Sequence, residues 1–477
     1  MKLALDRPMI ALGLLLGTAA LAAAQPAAGR KCELEFEALR DSTTTVLEKQ
    51  ATGKYNAFQA GGVRYRCKGQ DMTMDADSAA YYGDLAILYL VGQVHYRDED
   101  ATLDADRLTY YQNEEWVIAE GNVFARMENG STMRGPSAEY FRTIPDVRPV
   151  ERLVTVGRPT FTLHQPDSAG LARPTTTVIA DRVTAEGDSL VYAGGTVQIT
   201  RTDLTATADS VMLDESREYG RLLNDARVVG SGERGFTLTG QTIDLFSRER
   251  ALERVLSLAD ARVQSDDITV TSDTLDLRVA DGKLSRAFAW GPGRAHAEAP
   301  GRDMTADSLD VQLVDQKLRE LRAVGGARLE SVADTLRIRS TERDWLVGDT
   351  VIARFDSVAA VADGDSTANP LLRQVLALGD ARSFQQIPPD SGITDKPSLH
   401  YVSGRNITIA FDSGEVQRVM VTAPDSGQTV GVYLDATGQT APVDRNAPRP
   451  PAAATPPPPP ADSSVRRPPP PGDSPHE

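Results

Sequence analysis

The chain has 477 residues and a net charge of −16, with 40% hydrophobic and 25% charged residues. This composition is typical of a globular protein and excludes a wholly disordered chain. The negative charge argues against nucleic acids and anionic membrane surfaces as partners, because both are bound through basic patches. We therefore expect any ligand to be held through apolar contacts.

The first 24 residues have the layout of a secretory signal peptide. Lys2 and Arg7 precede an uncharged run that ends in three alanines at residues 22–24. We expect cleavage after Ala24 and export to the periplasm, with association with the outer membrane as a further expectation. A retained membrane anchor is the alternative, although the run is shorter than the ~20 apolar residues of a typical spanning helix.

The segment 25–70 contains both cysteines of the chain, Cys32 and Cys67. In an oxidising compartment, two cysteines are expected to form one disulfide, here at the N-terminal edge of the fold. Closing a loop of this length stabilises a protein by about 3–4 kcal/mol in the chain-entropy model. Two unpaired, buried thiols are the alternative.

From residue 71 onward the chain consists of tandem repeats, which are its most informative feature. The clearest copies share an Ala-Asp step followed by apolar residues at alternate positions, and they lie at 73–82, 102–111, 204–213 and 303–313. Weaker copies centre on Pro136, Asp181, Gln241, Asp273, Asp349 and Arg405. Together they predict about ten repeats.

The spacing of the copies divides the chain into regions. Residues 71–165 and 175–335 hold the clearer copies, and residues 336–440 hold divergent ones. The longer intervals between copies are rich in Pro, Gly, Asp and Ser, which is typical of loops. Residues 441–477 are rich in proline and are predicted to form a disordered, extended tail that adds nothing to a core.

Within each repeat, apolar and polar residues alternate with a period of two, which predicts β-strands and an all-β fold. The alternation changes phase at one point. In the copy at 303–313, Met304 and Ala306 occupy even positions, whereas Leu309 and Val311 occupy odd ones. Such a change would turn the inward face of a straight strand outward, so we predict a bulge or corner in each strand. The Asp at the corner is expected to accept backbone N–H groups that the corner leaves unpaired.

Tandem repeats of this kind, each followed by a Gly-x-Val type step, resemble the OstA-like (LptA) family. That family includes the periplasmic lipopolysaccharide transport protein and the N-terminal domain of the outer-membrane lipopolysaccharide assembly protein. The resemblance covers residues 71–423 and is clearest at 71–141 and 203–329. It implies an elongated antiparallel β-jellyroll, in which two sheets form a trough that holds lipopolysaccharide acyl chains. This chain departs from the family in having more repeats than one such domain needs, and a Pro-rich tail.

Inward apolar residues of the repeats are the candidates for lining such a trough. Alternatively, the same residues fill a closed core, because every pair of packed sheets needs core residues. The lipid-binding candidates are Met74, Leu103, Leu108, Ile118, Val123, Leu204, Val211, Leu309, Val311 and Leu321.

Catalytic and metal-binding readings find little support in the sequence. Residues 187–190 spell Gly-Asp-Ser-Leu, a short esterase motif, but that esterase family needs a strand-to-helix setting, and the one histidine with an Asp three residues before it, His476, lies in the Pro-rich tail. The five histidines are too scattered for a zinc site. The recurrent Asp residues lack the spacing of calcium-binding β-rolls. We therefore expect a non-enzymatic protein without metal or cofactor.

Three functions are compatible with the sequence. The first is a periplasmic scaffold that carries or bridges lipopolysaccharide or a related glycolipid, with other lipopolysaccharide-transport proteins added at its edge strands and no role for nucleic acid or nucleotide. The second is a structural or adhesive repeat protein that binds envelope protein or polymer partners. The third is an enzyme acting on polysaccharide.

Overall fold

The computed structural model describes residues 32–163, 175–230, 235–249, 251–315, 317–333, 335–356, 371–389, 392–412, 415–422 and 430–434. The predicted signal peptide and the Pro-rich tail lie outside these ranges. The described residues contain no helix, and accordingly no helix able to cross a membrane. The prediction of an all-β fold is confirmed.

The described strands are paired antiparallel in one continuous sheet system. In chain order they are β1 (Leu34–Ala38), β2 (Thr44–Lys49), β3 (Tyr55–Cys67), β4 (Thr73–Tyr82), β5 (Ile87–Arg97), β6 (Ala101–Tyr111), β7 (Trp116–Met127), β8 (Thr132–Phe141), β9 (Arg152–Val156), β10 (Thr160–Leu163), β11 (Thr176–Ile179), β12 (Arg182–Glu186), β13 (Leu190–Thr200), β14 (Leu204–Asp214), β15 (Tyr219–Gly230), β16 (Thr237–Arg248), β17 (Ala251–Gln264), β18 (Thr269–Ala280), β19 (Lys283–Ala299), β20 (Arg302–Val314), β21 (Lys317–Val332), β22 (Arg343–Phe355), β23 (Leu372–Ile387), β24 (Ser398–Asp412), β25 (Glu415–Thr422) and β26 (Val430–Leu434).

The strands form a meander in which each long strand pairs with the one before it and the one after it. Short strands occur as couples that lie end to end along one long neighbour. Strands β1 and β2 both pair with β3, and β9 and β10 both pair with β8. Likewise β11 and β12 pair with β13, and β25 and β26 with β24. Each couple is one strand of the meander interrupted at its middle, and the pairing continues across the predicted region boundaries.

A bulge at the middle of the strands confirms the predicted change of phase. In β6, Leu103 and Ala105 are buried before the bulge, and Leu108 and Tyr110 are buried after it. The pairing of β6 with β7 shifts register at the same place, between Asp104 and Arg107. Equivalent shifts recur in most of the long-strand pairs, including those of the divergent repeats.

The strands that lie between the Asp-containing copies carry consecutive left-handed residues at the bulge. Gly121 has a φ of 80° and Asn122 one of 45°, and the same arrangement is found at Gly195 and Thr196. The Asp of the neighbouring strand packs directly on the glycine: a Cβ placed on Gly121 would lie 2.4 Å from Oδ2 of Asp106. Glycine is needed here because it alone combines this φ with space for the carboxylate.

Among the described residues, the expected hydrogen bond from a backbone N–H group to a corner Asp is seen for Asp273. The N–H of Gly293 donates to Oδ2 of Asp273 at 2.6 Å. At Asp106 the donor is instead the side-chain amide of Asn122, at 2.9 Å. The corner is therefore fixed mainly by Asp packing on a left-handed glycine.

Side chains on the two sides of the bulge bury into one core cluster that includes residues from Cys32 to Ile409. In β3, the hydroxyl of Tyr65 donates to the side-chain oxygen of Gln59 at 2.9 Å. These residues are six positions apart and would be about 20 Å apart along a straight strand. The contact therefore requires β3 to bend sharply between them, at Gly61 and Gly62.

Replacing Gly121 by alanine tests the corner. We expect Gly121→Ala to lower the free energy of unfolding by about 1–2 kcal/mol more than Gly69→Ala, because only the first adds a collision to the left-handed strain. Gly69 is the matched control: its φ is 75° and a Cβ there meets nothing within 4 Å. Urea unfolding of both variants measures the difference. Equal losses would show that the Asp–Gly contact is unimportant.

Candidate ligand-binding clefts along the strand ends

The bulges divide the sheet lengthwise into two ladders of half-strands. Ladder A contains the half-strands that precede the bulge in the Asp-containing copies, such as 73–76 and 101–105; ladder B contains those that follow it, such as 78–82 and 107–111. Hairpin turns lie alternately at the outer ends of ladder A and ladder B. How these outer ends meet decides whether the interior is accessible.

At the N-terminal part of the molecule, a buried ion cluster joins the outer ends of the two ladders. Arg142, at the end of β8 in ladder B, donates to Asp98 at 2.9 Å and to Glu115 at 2.6 Å. Asp98 follows β5 in ladder A, and only 2% of its side chain is exposed. The hydroxyls of Tyr96 and Tyr110 complete the cluster by donating to Asp98 and Glu115.

The N-terminal segment covers the same place. Cys32 forms a disulfide with Cys67, and their Cα atoms are 5.1 Å apart. The backbone N–H of Cys32 donates to Glu115 at 3.4 Å, and its carbonyl accepts a bond from the side chain of Gln112. The segment is thus fixed to an outer end of ladder A by the disulfide, and to a turn of ladder B by hydrogen bonds.

Farther along the chain the outer ends separate and leave a cleft, here called the middle cleft. It contains about 1030 Å³ of atom-free space, including its mouth. Its inner wall is apolar, with Phe161 and Leu204 from ladder A and Leu213 and Leu245 from ladder B. Acidic side chains lie at its rim. Among these, the pKa of Asp214 is lowered by hydrogen bonds from Ser216 and Arg217 and by the charge of Arg217, against the effect of its burial.

A second opening, here called the C-terminal cleft, lies between β20 and β25. It contains about 1860 Å³ of atom-free space and is lined by residues of both ladders, among them Trp345, Leu346, Phe384 and Val419. A smaller cavity of about 360 Å³ adjoins it, here called the apolar cavity. Both are lined by Arg302, Leu329 and Leu372, so the cavity and the cleft are contiguous.

The apolar cavity is walled almost entirely by aliphatic and aromatic side chains. Its lining residues are Ile268, Ala297, Ala299, Arg302, Asp303, Met304, Leu318, Leu321, Leu329, Ala353, Phe355 and Leu372. Ligand pockets of proteins typically combine such walls with a few polar groups at fixed points. The two carriers of charge in this lining are Arg302 and Asp303.

The structure distributes the ten predicted lipid-binding residues unequally. Nine are buried in the core: Met74, Leu103, Leu108, Val123, Leu204, Val211, Leu309, Val311 and Leu321. Of these, Leu204 borders the middle cleft and Leu321 the apolar cavity. The other seven do not line any of the clefts described here.

The inward placement expected for Ile118 is wrong. Its neighbours Val117 and Ala119 are fully buried, whereas Ile118 is partly exposed on the opposite face. In β7 the buried positions are odd-numbered both before Gly121 and Asn122 and after them, so the even-numbered Ile118 faces outward. Four further lining residues were not predicted from the sequence, although each is an inward apolar side chain near an outer strand end: Phe161, Leu213, Leu329 and Phe355.

Chemistry other than apolar binding has few candidate groups. In the described ranges, no three His, Cys, Asp or Glu side chains are grouped so that they could hold a metal ion. The Gly-Asp-Ser-Leu sequence at 187–190 lies in the turn from β12 to β13, at the rim of the middle cleft. This setting differs from the strand-to-helix turn on which the esterase motif depends.

A comparison of the chain with protein-family models finds no match, and a comparison with curated proteins finds none either. The resemblance to the OstA-like family therefore rests on the repeat sequences alone.

Removing the positive charge of the ion cluster should destabilise the protein strongly. Arg142→Met leaves Asp98 and Glu115 buried without their cation, and we expect a loss of about 3–5 kcal/mol in the free energy of unfolding. Arg107→Met is the matched control, because Arg107 pairs with Glu120 at 3.9 Å with both side chains more than half exposed. That change should cost less than ~1 kcal/mol. Similar losses in the two variants would refute a sealing role for the cluster.

Asp100, beside this cluster, should make stability depend on pH. Burial, and then the carboxylates of Asp98 and Glu151, raise the pKa of Asp100 to about 6 from 3.8. Because the folded state disfavours the ionised form, stability is lost as the pH rises from about 4 to 6.

We therefore expect Asp100→Asn to be more stable than the wild type at pH 7.5. The expected gain is about 1–2 kcal/mol, reduced by the partial exposure of the side chain. The gain should vanish at pH 3.5, where Asp100 is protonated in the folded wild type. Urea unfolding at both pH values measures it, with Asp71→Asn, an exposed site, as the control. A gain that persists at pH 3.5 would have another origin.

Proposed function

We propose that this chain is a non-enzymatic, lipid-binding scaffold of the cell envelope. In this proposal the two ladders face each other as the sheets of an elongated jellyroll trough, and acyl chains occupy the clefts between their outer ends. The observation that carries the proposal is the apolar cavity that opens into the C-terminal cleft.

A contact between distant strands supports two facing sheets. The rings of Tyr96 and Tyr140 lie 5.9 Å apart, although Tyr96 belongs to ladder A of β5 and Tyr140 to ladder B of β8. Strands three positions apart in one flat sheet are separated by about 14 Å. Both side chains are fully buried, as expected if each points from its own ladder toward the other.

The C-terminal cleft has the size and lining that a lipid chain requires. Its cavity volume of about 720 Å³ falls in the range of typical ligand sites, and its inner wall is apolar. Each methylene group moved from water into such a wall contributes about 0.8 kcal/mol, so a chain of a few carbons already gains useful affinity. Aromatic residues at the mouth, such as Trp345 and Phe384, provide further apolar surface.

The length of the sheet and its edge strands support a bridging role in the periplasm. With each of the four couples counted as one strand, the 26 described strands make 22 neighbours side by side. At ~4.8 Å per strand, they extend about 100 Å. Among the described strands, the couples β1/β2 and β25/β26 each pair on one side only. Such edges suit the addition of a strand from another transport protein.

Lipopolysaccharide or a related glycolipid is the proposed cargo. This part of the proposal rests on the predicted signal peptide and on the resemblance of the repeats to the OstA-like family. The acyl chains would lie in the clefts, and the sugars would stay in water at the acidic rim.

A structural or adhesive role is the second candidate, and one observation favours it. At the N-terminal part, the seam between the ladders is closed by the ion cluster and the core is filled by large side chains such as Tyr96, Tyr110 and Tyr140. A closed seam and a filled core are what a rigid spacer would need, and a purely structural protein would need them along its whole length.

Photo-crosslinking in living cells distinguishes the two functions. A photoreactive phenylalanine analogue at Leu321, in the apolar cavity, or at Leu204, in the middle cleft, should form adducts with glycolipid. Val324 is the matched control, because it lies three residues from Leu321 on the outer face and is 43% exposed. The lipid proposal fails if Leu321 and Leu204 give no lipid adduct. Protein adducts at Val324 alone would favour the structural role.

A further inference from the structure

Arg302 is placed where the apolar cavity meets the C-terminal cleft. It is the first residue of β20, at the outer end of ladder A, and it lines both spaces. Its backbone pairs with Ser331 in the ladder, so its position is fixed by the sheet. Met304, two residues later, is fully buried on the same face of β20. The guanidinium of Arg302 is thus held at the inner side of the seam.

No partner for this guanidinium is found among the residues that the structure describes. The adjacent carboxylate, Asp303, pairs instead with His296 and Arg343. The other carboxylate of the cleft, Asp344, lies two strands from Arg302, or about 10 Å. Asp344 accepts a hydrogen bond from the backbone N–H of Gln386 at 2.8 Å.

The surroundings make an unpaired cation costly. Arg302 is partly buried, and burial lowers the pKa of its guanidinium. The second arginine of the cleft, Arg337, is already engaged with the carbonyl of Pro389 at 3.1 Å. A guanidinium that has lost part of its water without gaining an acceptor is destabilising, and an anion that reached it would recover that cost.

We propose that Arg302 binds the anionic group of a lipid, a carboxylate or phosphate at one end of an acyl chain whose apolar part occupies the adjoining cavity. This inference rests on the proposed function, because it assigns the polarity and orientation of a ligand in the same clefts. The adjoining walls argue for a lipid rather than a free anion. Leu321, Leu329 and Phe355 are apolar surfaces that a small anion would leave empty.

Two fluorescent probes that differ only in charge test this assignment. One is 11-(dansylamino)undecanoic acid and the other is its methyl ester. Fluorescence titration of the full chain at pH 7.5 gives the Kd of each. We expect the wild type to bind the acid at least tenfold more tightly, since a hydrogen bond to a charged group favours the acid by about that factor. Without such a cation, the more apolar ester would bind at least as tightly.

Substitutions of Arg302 test whether this residue causes the preference for the acid. Arg302→Gln should weaken binding of the acid about tenfold and leave binding of the ester unchanged, whereas Arg302→Lys should retain most of the preference for the acid. The control is Arg382→Gln, because Arg382 is exposed on the outer face of β23. That change should alter neither Kd.

The outcomes separate this inference from the proposed function. If neither probe binds the wild type, lipid binding itself is refuted. If both bind but the ester binds as tightly as the acid, or if Arg302→Gln weakens both equally, lipid binding stands and the role of Arg302 is refuted. Displacement of the acid by millimolar acetate or inorganic phosphate would identify a site for free anions and also overturn the inference. Should Arg302→Gln fail to fold, the comparison of the two probes on the wild type decides.

Discussion

The bend at the middle of the long strands is the constraint on which the rest of this structure depends. An Asp-containing strand such as β6, if it were straight, would place half of its apolar side chains in water, because its alternation changes phase partway along. In the neighbouring strand, consecutive left-handed residues such as Gly121 and Asn122 form the bulge opposite that point. The Asp packs on this glycine and fixes the corner. Repeated along the meander, this corner gives one buried core shared by two ladders.

The outer ends of the ladders, by contrast, differ along the molecule. Near the N-terminus, Arg142 connects them through Asp98 and Glu115, and the disulfide segment covers the junction. Toward the C-terminus the ends separate, and the C-terminal cleft leads into the apolar cavity. The sealed part contributes rigidity, and the open part provides the surface available to a ligand.

The strands and their corners could be predicted because their signals are local. Alternation of Leu103, Ala105, Leu108 and Tyr110 within one copy marks both the strand and its bulge. The candidate site was predicted less well, because the alternation marks every inward-facing residue alike, whether it fills the core or lines a cavity. Leu309 and Leu321 both face inward in neighbouring strands, yet Leu321 borders the apolar cavity and Leu309 does not. Ile118 shows that an error of one residue in the phase moves a side chain to the other face.

The sequence by itself determined the all-β fold, the ten repeats and the kink in the Asp-containing strands, because these depend on residues that are neighbours in the chain. Only the tertiary structure decided where the interior is open. Arg142 meets Asp98 and Glu115 across 44 and 27 residues, whereas Arg302 has no such partner among the described residues. Whether the outer ends of two strands meet depends on side chains from turns that are far apart in the chain. No local sequence pattern shows how close those turns come in the folded protein.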